Sequence, residues 1–461
     1  MEQQLDVLLT GGLVIDNKGR RHASVGVKDG RIVGLYAAGM EPPAKEVVDA
    51  QGKAVIPGLV DTHSHHREPG YTHKEDIDTA TRACAAGGVT TSVAMPNVYP
   101  VPNTVEKLQS MMKLYEEKAI VDWNINPAGT IVEEIPKLAK MGVPAMKIFM
   151  VVDTGRDYPH MPGLGVHEHG KLMAIMEACA EAGIPLMVHP HDQSLMDHIE
   201  QQFWARGERD CLAYAKAYAA HNGLIWETAV GVLLRLQEAT GCHLHVLHVQ
   251  TEGTVRMLRE AKAKGRKVTA EINPWALFLG HDWKNIERLG SYALSYWVPE
   301  HHLPALWEGL NDGTIDIVAT DHAPHTREEK EIGWVDGWKA NTGTPSTQFY
   351  LSLMLDAASK GSISYERVVD ACSTRPADIF GMKQKGRIDI GADADLVVVD
   401  LDAEKEITEA EVLSRCGHTP YAGRKVRGVP VRTLVRGTTV YKDGQVVGVN
   451  GYGRQAVCSQ G

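Results

Sequence analysis

The feature that most constrains this chain is an alternation. Between residues 58 and 321, eight short apolar runs of strand character recur: 58–65, 89–95, 122–127, 145–150, 185–189, 243–249, 268–273 and 316–321. Amphipathic stretches of helical period separate most of them, as at 170–182 and 254–265. Eight strand–helix units in one chain predict the α/β class and a parallel (β/α)8 barrel, with strands inside and helices outside. The ends of the chain have another texture. Residues 5–15, 23–35, 396–399 and 431–441 are β-rich and punctuated by Gly and Asp turns. They predict a small β-sandwich assembled from both termini, residues 1–57 and 385–461, around a catalytic barrel over 58–384. A length of 461 residues suits two such folding units better than one core.

The net charge of −10, from 48 basic and 58 acidic residues, disfavours a nucleic-acid partner, which calls for a basic face. No apolar run is long enough to predict a membrane span, and the Met-Glu-Gln-Gln start lacks the pattern of a signal peptide. The seven cysteines are scattered and form no C-x-x-C pair, which suits a reducing, cytoplasmic setting.

The chemistry concentrates at strand ends. Asp61-Thr62-His63-Ser64-His65 closes the first run. Residues two apart on a strand share a face, so His63 and His65 converge, and imidazole is a common ligand for zinc and similar ions. Lys147 lies in the fourth run, His189 ends the fifth, His248 lies near the end of the sixth, and Asp321 ends the eighth. Barrels gather catalytic residues from the ends of different strands, so one rim would unite all six. His245 competes with His248, both being read on one face of the sixth strand. His167, His169, His191 and His322 are expected in loops or in support of the ligands. Lys147 is anomalous, because an ammonium repels divalent cations. It either pairs with an acidic neighbour or carries a carbamate, which is anionic and has two oxygens to share between two metals.

Two clustered ions would lower the pKa of a water and polarise a carbonyl. Asp321 could then act as proton shuttle, from nucleophile to leaving group, or as a ligand only. Arg67, Asn97 and His325 follow the first, second and eighth strands. An arginine fork with added donors suits a carboxylate. Arg67 could instead pair with Glu68 or Glu75.

The run from Pro57 to Gly70, then Thr72-His73-Lys74-Glu75-Asp76, Ala86-Gly87-Gly88-Val89-Thr90-Thr91, Met95-Pro96-Asn97 and Gly391-Ala392-Asp393-Ala394-Asp395-Leu396 resembles the dihydroorotases. These belong to the cyclic amidohydrolases, with the hydantoinases, dihydropyrimidinases and allantoinases. The resemblance spans essentially the whole chain. It implies a homodimer or homotetramer acting on a small cyclic amide, dihydroorotate opening to N-carbamoyl-aspartate. It implies two divalent metal ions, zinc here, one held by His63, His65 and Asp321 and the other by His189 and His248. Carboxylated Lys147 and a hydroxide would bridge them. Leu247-His248-Val249-Gln250-Thr251 matches the family pattern and selects His248 over His245. Arg67, Asn97 and His325 match the positions that hold the substrate carboxylate, and the backbone of Ser295 would contact the ring. The Tyr that hydantoinases place five residues after the lysine is replaced by Val152. Trp275, Trp334 and Trp338 give an aromatic-rich mouth, suited to a flat or larger ring, to loop packing or to a subunit contact. A hydantoinase, dihydropyrimidinase or allantoinase activity is the nearest alternative. A non-catalytic scaffold relative is a remote one, since such proteins lose ligands and every expected ligand is present.

Overall fold

A computed structural model describes residues 4–151, 163–280, 282–294 and 300–459. The eight expected runs form two parallel sheets. Leu59–Ser64, Val89–Ala94 and Asp122–Ile125 make one, and Met146–Phe149, Leu186–His189, Leu244–Val246, Val268–Ile272 and Ile317–Val318 make the other. Parallel bridges join them at both seams: Ala128 to Lys147 between the third and fourth strands, and Ser64 to His322 between the first and the end of the eighth. The result is the expected closed barrel. Its strands are buried throughout, because helices cover their outer face and side chains fill the interior.

The helices begin where the sequence supplies a cap. Asp76 accepts from the Thr79 amide at 2.8 Å ahead of Ile77–Ala86, and Thr251 from the Thr254 amide at 3.0 Å ahead of Glu252–Ala263. Gly88 then turns the chain into the second strand with φ of +79°, and a Cβ there would sit 2.9 Å from Leu351 Cδ2.

Both ends of the chain build two further sheets. One has four strands, in the order Arg31–Tyr36, Ser24–Lys28, Leu5–Thr10 and Ala44–Asp49. The other has seven, and in it the C-terminal strand Leu396–Glu406 pairs antiparallel with Ala54–Pro57. Val7, Val25, Ile32, Val55, Leu396 and Leu434 pack between them. Residues 5–15, an apolar run read with a Gly-Gly turn, divide at that turn: Leu5–Thr10 joins one sheet and Leu13–Asp16 the other. Gly11, at φ of +75°, makes the break. All seven cysteines are buried and free. Among the described residues no helix is long and apolar enough to cross a membrane.

Away from the rim, a buried charge cluster ties the barrel to the flanking sheets. Asp122 opens the third strand, and its carboxylate lies with those of Asp393 and Asp395. The most buried cation among them is Lys385, with Nζ 2.8 Å from Asp395, 3.0 Å from Asp393 and in contact with Asp122, which Arg436 also contacts. Burial alone would lower the Lys385 pKa, but Asp395 and Asp393 hold it above its ordinary value. Removing one partner from a buried ionic group strands the others, at a cost of about 3–5 kcal/mol. Lys385→Met should therefore lower the urea midpoint of unfolding clearly; an unchanged midpoint would show that the cluster contributes nothing net.

Candidate metal centre and substrate mouth

His63 and His65 lie at the end of the first strand and meet Asp321, which lies three residues beyond the eighth. His63 Nε2 is 3.2 Å and His65 Nε2 3.1 Å from Asp321 Oδ1, and all three side chains are buried. One ligand atom from each falls within 4.8 Å of the others. Beside them His248 Nε2 lies 2.9 Å from His189 Nδ1, and the His63 and His248 rings are 6.1 Å apart. Lys147 completes the group. Its Nζ is buried, has no hydrogen-bond partner among the described residues and lies 4.2 Å from the centre of the Phe149 ring. Burial pushes the Lys147 amine down to about 7, and only Asp321 and Glu271 oppose the shift. The sequence alternative of an acidic partner thus takes the form of a field rather than a hydrogen bond.

The backbone aims these groups. Asp321 has φ of +44°, His248 of +37° and Arg67 of +61°, conformations that cost non-glycine residues free energy and gather at functional sites. The kink corrects the expectation that His245 and His248 share a strand face. Positions three apart on a regular strand point to opposite faces. Here the strand stops at Val246 and the left-handed turn at His248 swings its ring towards His189. His245 stays inside the barrel, 2.9 Å from Thr269 Oγ1 and 3.4 Å from Glu271 Oε2.

Glu271, in the seventh strand, was missed by sequence reasoning. Its Oε1 takes the Nδ1 hydrogen of His63 at 2.5 Å, leaving Nε2 to face Asp321. The signal was present: Glu271 is the sole charged residue in the buried strand Val268–Ile272. Burial works to lower the His63 pKa, yet the Glu271 and Asp321 carboxylates raise it to about 9. Burial likewise works against ionisation of Asp321, yet His63 and His65 hold its carboxyl well below the usual range. Burial pushes His248 down to about 3 and His191 to about 4.

A cationic wall stands on the side of the first and eighth strands. Arg67 is buried; its Nε donates to the Pro324 carbonyl at 3.1 Å, and its Nη2 lies 3.2 Å from His325 Nε2. Glu68 and Glu75, its suggested alternative partners, are engaged elsewhere: Glu68 with Lys118, and Glu75 with His322 and the Arg415 amide. Two further lysines, unassigned from sequence, stand behind. Lys74 Nζ lies 2.7 Å from Glu329 and 3.4 Å from His325 Nδ1. Lys330, fully buried, donates to the carbonyls of Asn341 and Gly343 at 2.7 Å each and so ties down the loop after the eighth strand. Asn97 is buried just past the second strand. Ser295 lies outside the described residues, as do Val152 and most of the connection after the fourth strand.

The opposite side is aromatic. Trp226 stands 6.1 Å from His189, 6.4 Å from His248 and 5.8 Å from Tyr218, ring centre to ring centre. The expected mouth tryptophans fare differently. Trp275 is buried in the short helix Pro274–Phe278, Trp338 is buried and donates to Glu200 at 2.8 Å, and Trp334 is half exposed. His322 supports the rim from below, while His167 and His169 are exposed.

The amidohydrolase family model matches residues 54–440. A dihydroorotase of Bacillus cytotoxicus is 36% identical over 429 residues, covering 90% of this chain and 93% of its own. One from Bacillus cereus is 36% identical over 456 residues, covering 95% and 99%. Among solved structures, an L-hydantoinase (dihydropyrimidinase) from Arthrobacter aurescens superposes with a TM-score of 0.93 at 30% identity, covering 99% of this chain and 100% of that one. A dihydropyrimidinase from Brevibacillus agri gives 0.90 at 26% identity, covering 98% of each. With the barrel, the clustered histidines and carboxylate at its rim and a family match along most of its length, this chain belongs to the amidohydrolase family.

Proposed function

We propose that the chain hydrolyses an amide bond inside a cyclic ureide that bears a carboxylate, dihydroorotate to N-carbamoyl-aspartate foremost. The observation that carries this reading is the pairing of a buried His and Asp cluster with a cationic wall built on Arg67 and His325. The relatives named dihydroorotase support it. The catalytic unit is assigned to residues 58–384, with 1–57 and 385–461 as its flanking sandwich.

The donor set fits two divalent ions. His63, His65 and Asp321 would hold one and His189 and His248 the other, with Lys147, buried and without a hydrogen-bond partner among the described residues, between them as its carbamate. Such ions, zinc in this assignment, supply an acidified water and a polarised carbonyl when bound. The residues do the rest. Glu271 holds the His63 tautomer by taking its Nδ1 hydrogen. Arg67, Asn97 and His325 grip the carboxylate and fix the ring, while the backbone of Ser295 meets its edge. Asp321 takes a proton from the attacking water as its oxygen bonds to the ring carbonyl carbon. The same carboxyl returns that proton to the ring nitrogen as the C–N bond breaks. A second reading, a neutral ring as in hydantoinases, dihydropyrimidinases or allantoinases, is favoured by the aromatic side at Trp226 and by the hydantoinase structures.

Arg67→Ala separates the two readings. A buried charged contact to the substrate is worth about 2–3 kcal/mol, so kcat/KM for dihydroorotate should fall about 100-fold. Turnover of hydantoin and dihydrouracil controls for general damage and should change little; an equal loss on all three would remove Arg67 from carboxylate recognition. For Asp321→Asn, kcat should drop by about 100-fold or more, and a variant that keeps its metal and full activity would rule out the shuttle. Glu271→Gln should weaken metal affinity about 10- to 100-fold in a chelator competition, whereas wild-type affinity would make Glu271 a bystander.

A further inference from the structure

The fifth strand ends in His189-Pro190-His191, a second His-x-His like the one that closes the first strand. His191 is 2% exposed, and among the described residues neither ring nitrogen has a hydrogen-bond partner. Its ring is walled by Trp226 at 5.6 Å and 85°, by Tyr218 at 5.8 Å and by His189 at 6.1 Å. Two polar groups nearby are already engaged. Trp226 donates its N–H to the Tyr218 carbonyl at 3.1 Å. Asp192 caps the helix Gln193–Ala205 by accepting from the Leu195 amide at 3.0 Å and also accepts from Ser194 Oγ at 2.9 Å.

An imidazole enclosed in this way has given up its hydrogen bonds to water and gained none from the described residues, so it costs stability where a phenyl ring of similar shape would not. A partner from outside the chain would repay that cost. In an eight-stranded barrel the fifth strand stands across from the first, so His191 and Arg67, each just past its strand, stand on opposite sides of the rim. A neutral imidazole offers one N–H donor and one lone pair. A cyclic ureide presents the complement, a carbonyl oxygen beside a ring N–H.

We propose that His191 is a substrate-contacting residue that fixes the ureide edge of the ring, opposite the end that Arg67 and His325 hold. This inference rests on the cyclic-ureide reading above. It makes the site two-ended: charge recognises the substituent, and a single imidazole among aromatic rings recognises the ring itself.

The test compares wild type, His191→Phe and His191→Asn, each loaded with metal. His191→Phe keeps the packing and removes both nitrogens, and His191→Asn restores a donor and an acceptor. In His191→Phe the metal content should stay at the wild-type level and the thermal midpoint should hold or rise. Its kcat/KM should fall about tenfold or more on both dihydroorotate and hydantoin, the worth of a lost hydrogen bond to the ring, and His191→Asn should recover part of it. A residue that merely packs would lower the midpoint when changed. Wild-type kcat/KM in His191→Phe overturns this inference alone, as does loss of metal or a lowered midpoint in that variant. Wild-type protein that opens neither dihydroorotate, hydantoin nor dihydrouracil overturns the cyclic-ureide reading and this inference with it.

Discussion

The seam between the first and eighth strands is the constraint on which the rest depends. Asp61, one residue pair below His63, accepts from the Thr320 hydroxyl at 2.6 Å and from the Thr320 amide at 3.0 Å. Above it the His65 amide donates to the His322 carbonyl at 2.7 Å. These bonds close the barrel, and they also fix Asp321, which lies between Thr320 and His322, against His63 and His65. Two segments more than 250 residues apart thereby acquire a separation of about one hydrogen bond. Asp61 is fully buried, and burial raises its pKa, so the seam resembles a core hydrogen-bond network more than a surface ion pair.

The mouth above that seam is built in two chemistries. Arg67, Lys74 and Lys330 bring cationic groups to one side, with Glu329 as a counter-charge for Lys74. Burial pushes both lysines down, Lys74 to about 8 and Lys330 to about 7, so this wall is expensive to maintain unless an anion shares its field. On the other side Trp226, Tyr218 and Tyr214 form a continuous aromatic contact reaching His189 and His248. In the proposed reading the acidic substituent of the substrate would meet the charged wall and its ring the aromatic one.

Much of this was legible in the sequence, for physical reasons. The barrel follows from the count and order of apolar runs, and closing it carries the ends of distant strands to one rim. The two-residue spacing of His63 and His65 is a direct statement about a strand face. What stayed hidden depends on departures from regular geometry or on partners chosen only after closure. Regular strand alternation already separates His245 from His248, but no periodicity announces the left-handed backbone that brings His248 to His189. Glu271 stands out in an apolar strand, but its two histidine partners come from the first and sixth strands and appear only when the cylinder forms. Lys330 lies in the short acidic helix Arg327–Glu331, and only the folded loop shows that its ammonium is spent on the carbonyls of its own loop. The split of residues 5–15 between two sheets turns on one glycine.

The central claim is that six side chains of this rim share one pair of divalent cations. Anomalous diffraction from crystals grown with zinc, recorded on both sides of the zinc absorption edge, measures this directly. The account predicts two peaks, one touching His63, His65 and Asp321 and the other His189 and His248, with Lys147 between them. Zinc-loaded crystals with no peak at this rim, or with peaks only elsewhere in the chain, would contradict it.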